Sequence, residues 1–146
     1  MHNLVGTWRL VDWNVEIGGR TVRPFGGSAV GLLTYTNDGR MMASLMKKDR
    51  DLLDTHSFAQ AHALDRAAAA VGYISYAGTY FVEGDEVHHD VELSLFPDWV
   101  GATQTRLIRW IDQPDGTTHL ELSYVQPGAG RKATNTLRWS RITTED

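Results

Sequence analysis

The 146-residue chain carries a net charge of −4, with 42% hydrophobic and 22% charged residues and no cysteine. Disulfides, thiolate metal sites and cysteine nucleophiles are therefore excluded. Basic residues are scattered, the densest group being Lys47, Lys48 and Arg50 with Asp49 among them, which argues against nucleic-acid binding.

The length suits one domain spanning 1–146. No apolar run approaches the roughly 18 residues of a membrane helix, and MHNLVGTW lacks the basic and apolar regions of a signal peptide. The expectation is a cytoplasmic protein with no membrane partner.

Most of the chain alternates at period two. Leu4 to Ile17 is extended, and Gly18-Gly19 turns it back through Arg20 to Arg23, a short return read as an extension of the first hairpin. Pro24 to Gly27 is a loop. Val30 to Tyr35 and Arg40 to Met46 flank the hairpin turn Thr36-Asn37-Asp38-Gly39. The period then changes: Ser57 to Gly72 is alanine-rich, with Phe58, Ala61, Leu64 and Ala68 at helical spacing. Asp54, Thr55 and Ser57 are possible N-caps and Gly72 a C-cap, which predicts a helix of about four turns. Strands resume over Tyr73–Val82, Val87–Phe96, Thr103–Asp112, Thr118–Val125 and Ala133–Ile142. Eight short, regularly spaced strands with hairpin turns predict an all-β, antiparallel up-and-down barrel, with the helix between the third and fourth strands. Closure removes sheet edges, and a barrel of this size can hold one small ligand.

The stretches LVGTWRL, GLLTYTNDGRMMASLM and YISYAGTYFVEGDEVHHDVELSLFPDWVG, with the following Gln104-Thr105-Arg106, resemble the small bacterial and fungal lipocalin-like domain family. GTWRL itself is similar to the glycine-x-tryptophan signature of calycin barrels. The resemblance implies a ligand-holding barrel whose Trp8 plugs the closed end under an arginine from LRWSR, either Arg138 or Arg141. It also implies small hydrophobic or polyketide-like ligands of natural-product pathways and, in some relatives, isomerase or cyclase chemistry.

The paired histidines pose the main question. In a strand, neighbours point to opposite faces. Val87, His89, Val91, Leu93 and Leu95 form one face; His88, Asp90, Glu92, Ser94 and Phe96 form the other. An apolar-inward rule puts His89 inside. The polar set that includes His88 and Glu92, however, belongs to the HHxxExSLFPxWxG stretch that resembles the family. Both histidines therefore stand as catalytic candidates. So does Arg106, which shares a face with Gln104, Ile108 and Trp110 and would need either Glu92 or an anionic ligand group if buried. Tyr35, Tyr76, Tyr80, Glu92, Trp99 and Met42 are the ligand-lining candidates. Trp99, in PDWVG, suits a binding rim or a plug. The six histidines form no metal signature such as HExxH, and Gly128-Ala129-Gly130 lacks the following helix of a nucleotide loop. No metal and no organic cofactor are expected.

Three functions fit these residues. The first is a binding module for a small hydrophobic molecule. The second is a cofactor-free isomerase, cyclase or dehydratase, with a luminal histidine moving a proton and Arg106 or a tyrosine stabilising an oxyanion. The third is an interaction protein that forms a homodimer. A lumen of about 300 Å³ or more with converging polar groups favours the first two, and a lumen filled by side chains favours the third.

Overall fold

The computed structural model describes residues 2–128 and 130–146; Ala129, in the loop expected at 127–130, lies outside the described residues. The strands are β1 (Gly6–Ile17), β2 (Arg20–Val22), β3 (Ala29–Tyr35), β4 (Arg40–Lys47), β5 (Tyr73–Glu83), β6 (Glu86–Ser94), β7 (Thr103–Asp112), β8 (Thr118–Gly128) and β9 (Arg131–Arg141). They form one antiparallel sheet in the order β2-β1-β3-β4-β5-β6-β7-β8-β9. Pairing of β1 with β9, from Trp8 opposite Arg141 to Ile17 opposite Ala133, closes eight of them into a barrel. The three-residue β2 pairs with β1 alone, as a flap on the first hairpin.

Alternation places one face of every barrel strand inside, and the core is Trp8, Leu33, Met41, Leu45, Val87, Leu120 and Trp139 with their neighbours. Two irregularities reset that alternation. The β1–β9 register shifts between Leu10 and Asp12, leaving Val11 exposed. The extra residue lets Trp8 and Trp13 both face inward although they are five apart. On β6, Gly78 pairs with Val91 but Ala77 pairs with Leu93, so Glu92 is the bulged residue. Beyond it Leu93 faces out, 68% exposed. The expected inward face of this strand therefore ends at Val91; Leu93 and Leu95 are outside. The bulge also brings the Asp90 carbonyl against Gly78, where a Cβ would lie 1.8 Å from the oxygen. Only glycine fits there.

The helix is shorter than expected and sits between β4 and β5 rather than between the third and fourth strands, because the short return Arg20–Val22 forms a strand of its own, β2. A 3-10 turn at Phe58–Gln60 is followed by extended Ala61 and His62, and α1 spans only Ala63–Val71. Gly72 ends it as predicted, its N–H reaching the Ala68 and Ala70 carbonyls. Asp54, Thr55 and Ser57 do not cap it, since the extended pair separates them from its first turn. Leu64 and Val71 face solvent and Ala69 is the buried residue. The helix packs beside β5, with Arg50 Nη2 donating to the Ala69 carbonyl.

At one end of the barrel Trp8 is buried and donates its indole N–H to the Leu4 carbonyl at 2.9 Å. Arg141 lies across its ring at 4.2 Å and donates to the Val5 and Asn3 carbonyls. Arg138 is committed elsewhere, to Glu121 on the outer wall. Arg141 is thus the arginine over the plug.

Candidate functional site

His89 is the inward histidine, 1% exposed on the central stretch of β6. Its two ring nitrogens are both engaged. Nε2 lies 2.7 Å from Tyr35 Oη and Nδ1 lies 2.8 Å from Tyr76 Oη. Burial first, then the Arg106 charge, hold its pKa down at about 3, so the ring is neutral at physiological pH. A neutral imidazole donates from one nitrogen and accepts at the other. Tyr35 is fully buried and has no other side-chain partner among the described residues, so its proton must go to Nε2 to avoid an orphaned donor. Nδ1 then carries the hydrogen and donates to Tyr76 Oη. The Tyr76 proton is left for an acceptor in the cavity that this residue lines. Burial raises both phenol pKa values, well above the usual range for Tyr35; at Tyr76 the Arg106 guanidinium opposes the rise.

Arg106 on β7 also faces inward and is 8% exposed. Its guanidinium stacks on the Tyr124 ring at 3.7 Å, and it donates to the Thr105 carbonyl and to Gln104 Oε1. Glu92, the carboxylate expected beside it, instead forms a two-oxygen pair with Arg40 on the outer face. The bulge at Glu92 and the outward parity of that position explain the difference. Among the described residues no carboxylate lies within 4.0 Å of Arg106.

These groups border a cavity in the barrel. Leu33, Ala43, Leu45, Ile74, Leu122 and Leu137 supply its aliphatic wall. Trp13, Trp99, Trp139 and Tyr124 supply aromatic surface, and Tyr76, His89 and Arg106 the polar part. The cavity between these walls has a volume of about 50 Å³. That accommodates a few waters and falls below the roughly 300 Å³ of a pocket for a drug-sized ligand. Trp99 stands on the 3-10 turn Pro97–Trp99 between β6 and β7, edge-on to Tyr76 and Phe96 at 5.6 Å each. It closes part of the cavity as a wall. No α1 residue lines this cavity, so the helix is not its cover.

The remaining expected site residues lie elsewhere. His88 points outward, with Nδ1 2.8 Å from Thr105 Oγ1, its ring stacked on Phe81, and Glu86 at 3.7 Å. Met42 is 59% exposed, because its neighbour Met41 takes the inward position. Tyr35 and Tyr80 face inward without lining the cavity, and Tyr80 donates to the Thr36 carbonyl. Neither Glu92, His88 nor Met42 reaches the lumen. Sequence reasoning missed Trp139, Tyr124 and Trp13. Continued alternation along Asn135, Leu137 and Trp139 would have found the first, whereas the β1 bulge hides Trp13. Trp139 Nε1 is buried without a hydrogen-bond partner among the described residues, a donor in a residue that borders the cavity. No group of three or more His, Asp or Glu side chains is placed to hold a metal ion among the described residues.

Comparison with known families matches residues 5–142 to the lipocalin-like domain, and the chain belongs to that family. No curated protein and no solved structure gives a significant match.

Proposed function

We propose, from membership of this family and from the polar set in the barrel, that the lumen binds a small molecule with an apolar body. The observation that carries this reading is the Tyr35–His89–Tyr76 array, which leaves a phenol O–H free at the wall of an otherwise apolar cavity. Pockets of this kind hold an apolar ligand and orient it through a few placed polar groups. The cavity is small, so a ligand enters with displacement of its walls, the Trp99 ring among them.

The alternative is a cofactor-free isomerase, cyclase or dehydratase with His89 as proton shuttle. The geometry favours binding. A proton delivered by Tyr76 and replaced through His89 must come in the end from Tyr35. That phenol is sealed from solvent and its pKa is held well above the usual range. The array orients a donor well and supplies protons poorly.

Trp13, Trp99 and Trp139 border the lumen, so their emission reports occupancy. Titration with small neutral aromatics such as 2-naphthol should quench it saturably. Ala43→Leu, which fills the free space from the wall, should abolish the saturable component while the protein still melts cooperatively. Unchanged quenching in that variant would move the binding site out of the lumen.

A further inference from the structure

Among the described residues the lumen carries one full charge, that of Arg106, and no counter-charge. Arg106 is buried, and around it are the Tyr124 ring face, the Tyr76 hydroxyl, a backbone carbonyl and an amide oxygen, all uncharged. Among the described residues no ion pair involves Arg106, and the one buried acid, Glu121, faces outward between Arg109 and Arg138. A buried, unpaired guanidinium is costly, and an anion is what offsets it. Two other features of the same cavity ask for an acceptor. Trp139, which lines it, has a buried Nε1 donor with no partner among the described residues. Tyr76, by the hydrogen-bond direction imposed by Tyr35, presents its proton rather than its lone pairs. Three donors, one of them cationic, thus border a cavity that has no acidic side chain in its wall.

We propose that the ligand of this barrel is an organic oxyanion, a carboxylate borne on an aromatic or aliphatic body, with its charged oxygens at Arg106 and its body against the leucines and tryptophans. The inference rests on the lumen-binding reading and adds the charge of the ligand. Its logic has a sign. An apolar lumen without a compensating cation prefers a neutral molecule to its carboxylate analogue, because the anion must shed its water. Preference for the anion requires that Arg106 supply what the water gave, through charge-assisted hydrogen bonds.

Calorimetric titration with 2-naphthoate and with 2-naphthamide tests this, since the two differ little in shape and differ in charge. The wild type should bind 2-naphthoate at least about tenfold more tightly. Arg106→Gln should erase or reverse that preference while retaining affinity for the amide. The comparison within the wild type stands even if the variant fails to fold. Equal or tighter binding of the amide overturns the oxyanion proposal and leaves lumen binding intact. Binding of neither overturns lumen binding itself and the proposal with it.

Discussion

Acid should destabilise this protein through one identifiable ring. His89 has an ordinary pKa of 6.5 in the unfolded chain and about 3 in the native barrel, lowered by burial and then by Arg106. Above pH 6.5 neither state protonates the ring and it contributes no pH dependence. As pH falls below 6.5 the unfolded chain takes up a proton that the native state refuses. Stability is therefore lost progressively between pH 6.5 and about 3. The loss is about 1.4 kcal/mol per pH unit, which reaches roughly 2.7 kcal/mol at pH 4.5. That is a large fraction of a typical domain's stability. Urea unfolding followed by tryptophan fluorescence, repeated from pH 7.5 to 4.5, measures it. His89→Gln retains a donor and an acceptor at the position but does not titrate. The other histidines and the carboxylates are common to both proteins, so the difference between the two pH profiles isolates one proton. The wild type should show about one more proton taken up on unfolding across this interval than the variant. Parallel profiles would refute the claim that a neutral, buried His89 sits at the heart of the barrel. Ring resonances of wild-type His89 that stay unshifted down to pH 4.5 would confirm the same point without a variant.

Gly78→Ala should cost about 3 kcal/mol or more, because a Cβ there meets the Asp90 backbone oxygen at 1.8 Å and neither strand can retreat without breaking the bulge; an unchanged urea midpoint would contradict the tight approach. Tyr35→Phe should destabilise by about 1–3 kcal/mol by leaving His89 Nε2 without its donor, a loss visible in the thermal melting temperature. Nitrogen NMR of the same ring should find the hydrogen on Nδ1, and a hydrogen on Nε2 would reverse the direction assigned to the array. Arg141→Ala should cost about 1 kcal/mol through the lost contact on Trp8, with no change in lumen binding, since the residue lies at the plugged end.

The barrel was legible because its signal is periodic. Alternation over each strand, turn residues at each hairpin and the GTWRL stretch all point to one closed sheet, and the structure agrees on the strand count of the barrel and on the role of Trp8. Alternation also chose His89 over His88. What it could not foresee are the places where period two breaks. One extra residue at Val11 turns Trp13 inward, and another at Glu92 turns Leu93 outward. A bulge depends on pairing between distant strands, which no local pattern encodes. Adjacency of strands offers Glu92 as one of two possible partners for Arg106, yet its pairing with Arg40 follows from the face it occupies. The helix was overestimated for a related reason. Alanine-rich composition favours helix from Ser57 onward, but Ala61 is buried in an extended conformation, and tertiary contact outweighs propensity there.

Binding in the lumen and binding at the surface differ in which indoles they reach. The five tryptophans divide neatly for this purpose: Trp13, Trp99 and Trp139 border the lumen, while Trp8 and Trp110 lie together at the plugged end. Proton–nitrogen correlation spectra of the indole N–H groups during a titration with 2-naphthol would read all five at once. A saturable shift of Trp139, whose N–H has no hydrogen-bond partner among the described residues, with Trp8 and Trp110 stationary, is the predicted result. Movement of Trp8 or Trp110 while Trp139 stays fixed would place binding at the outer cleft of the plugged end and contradict the account.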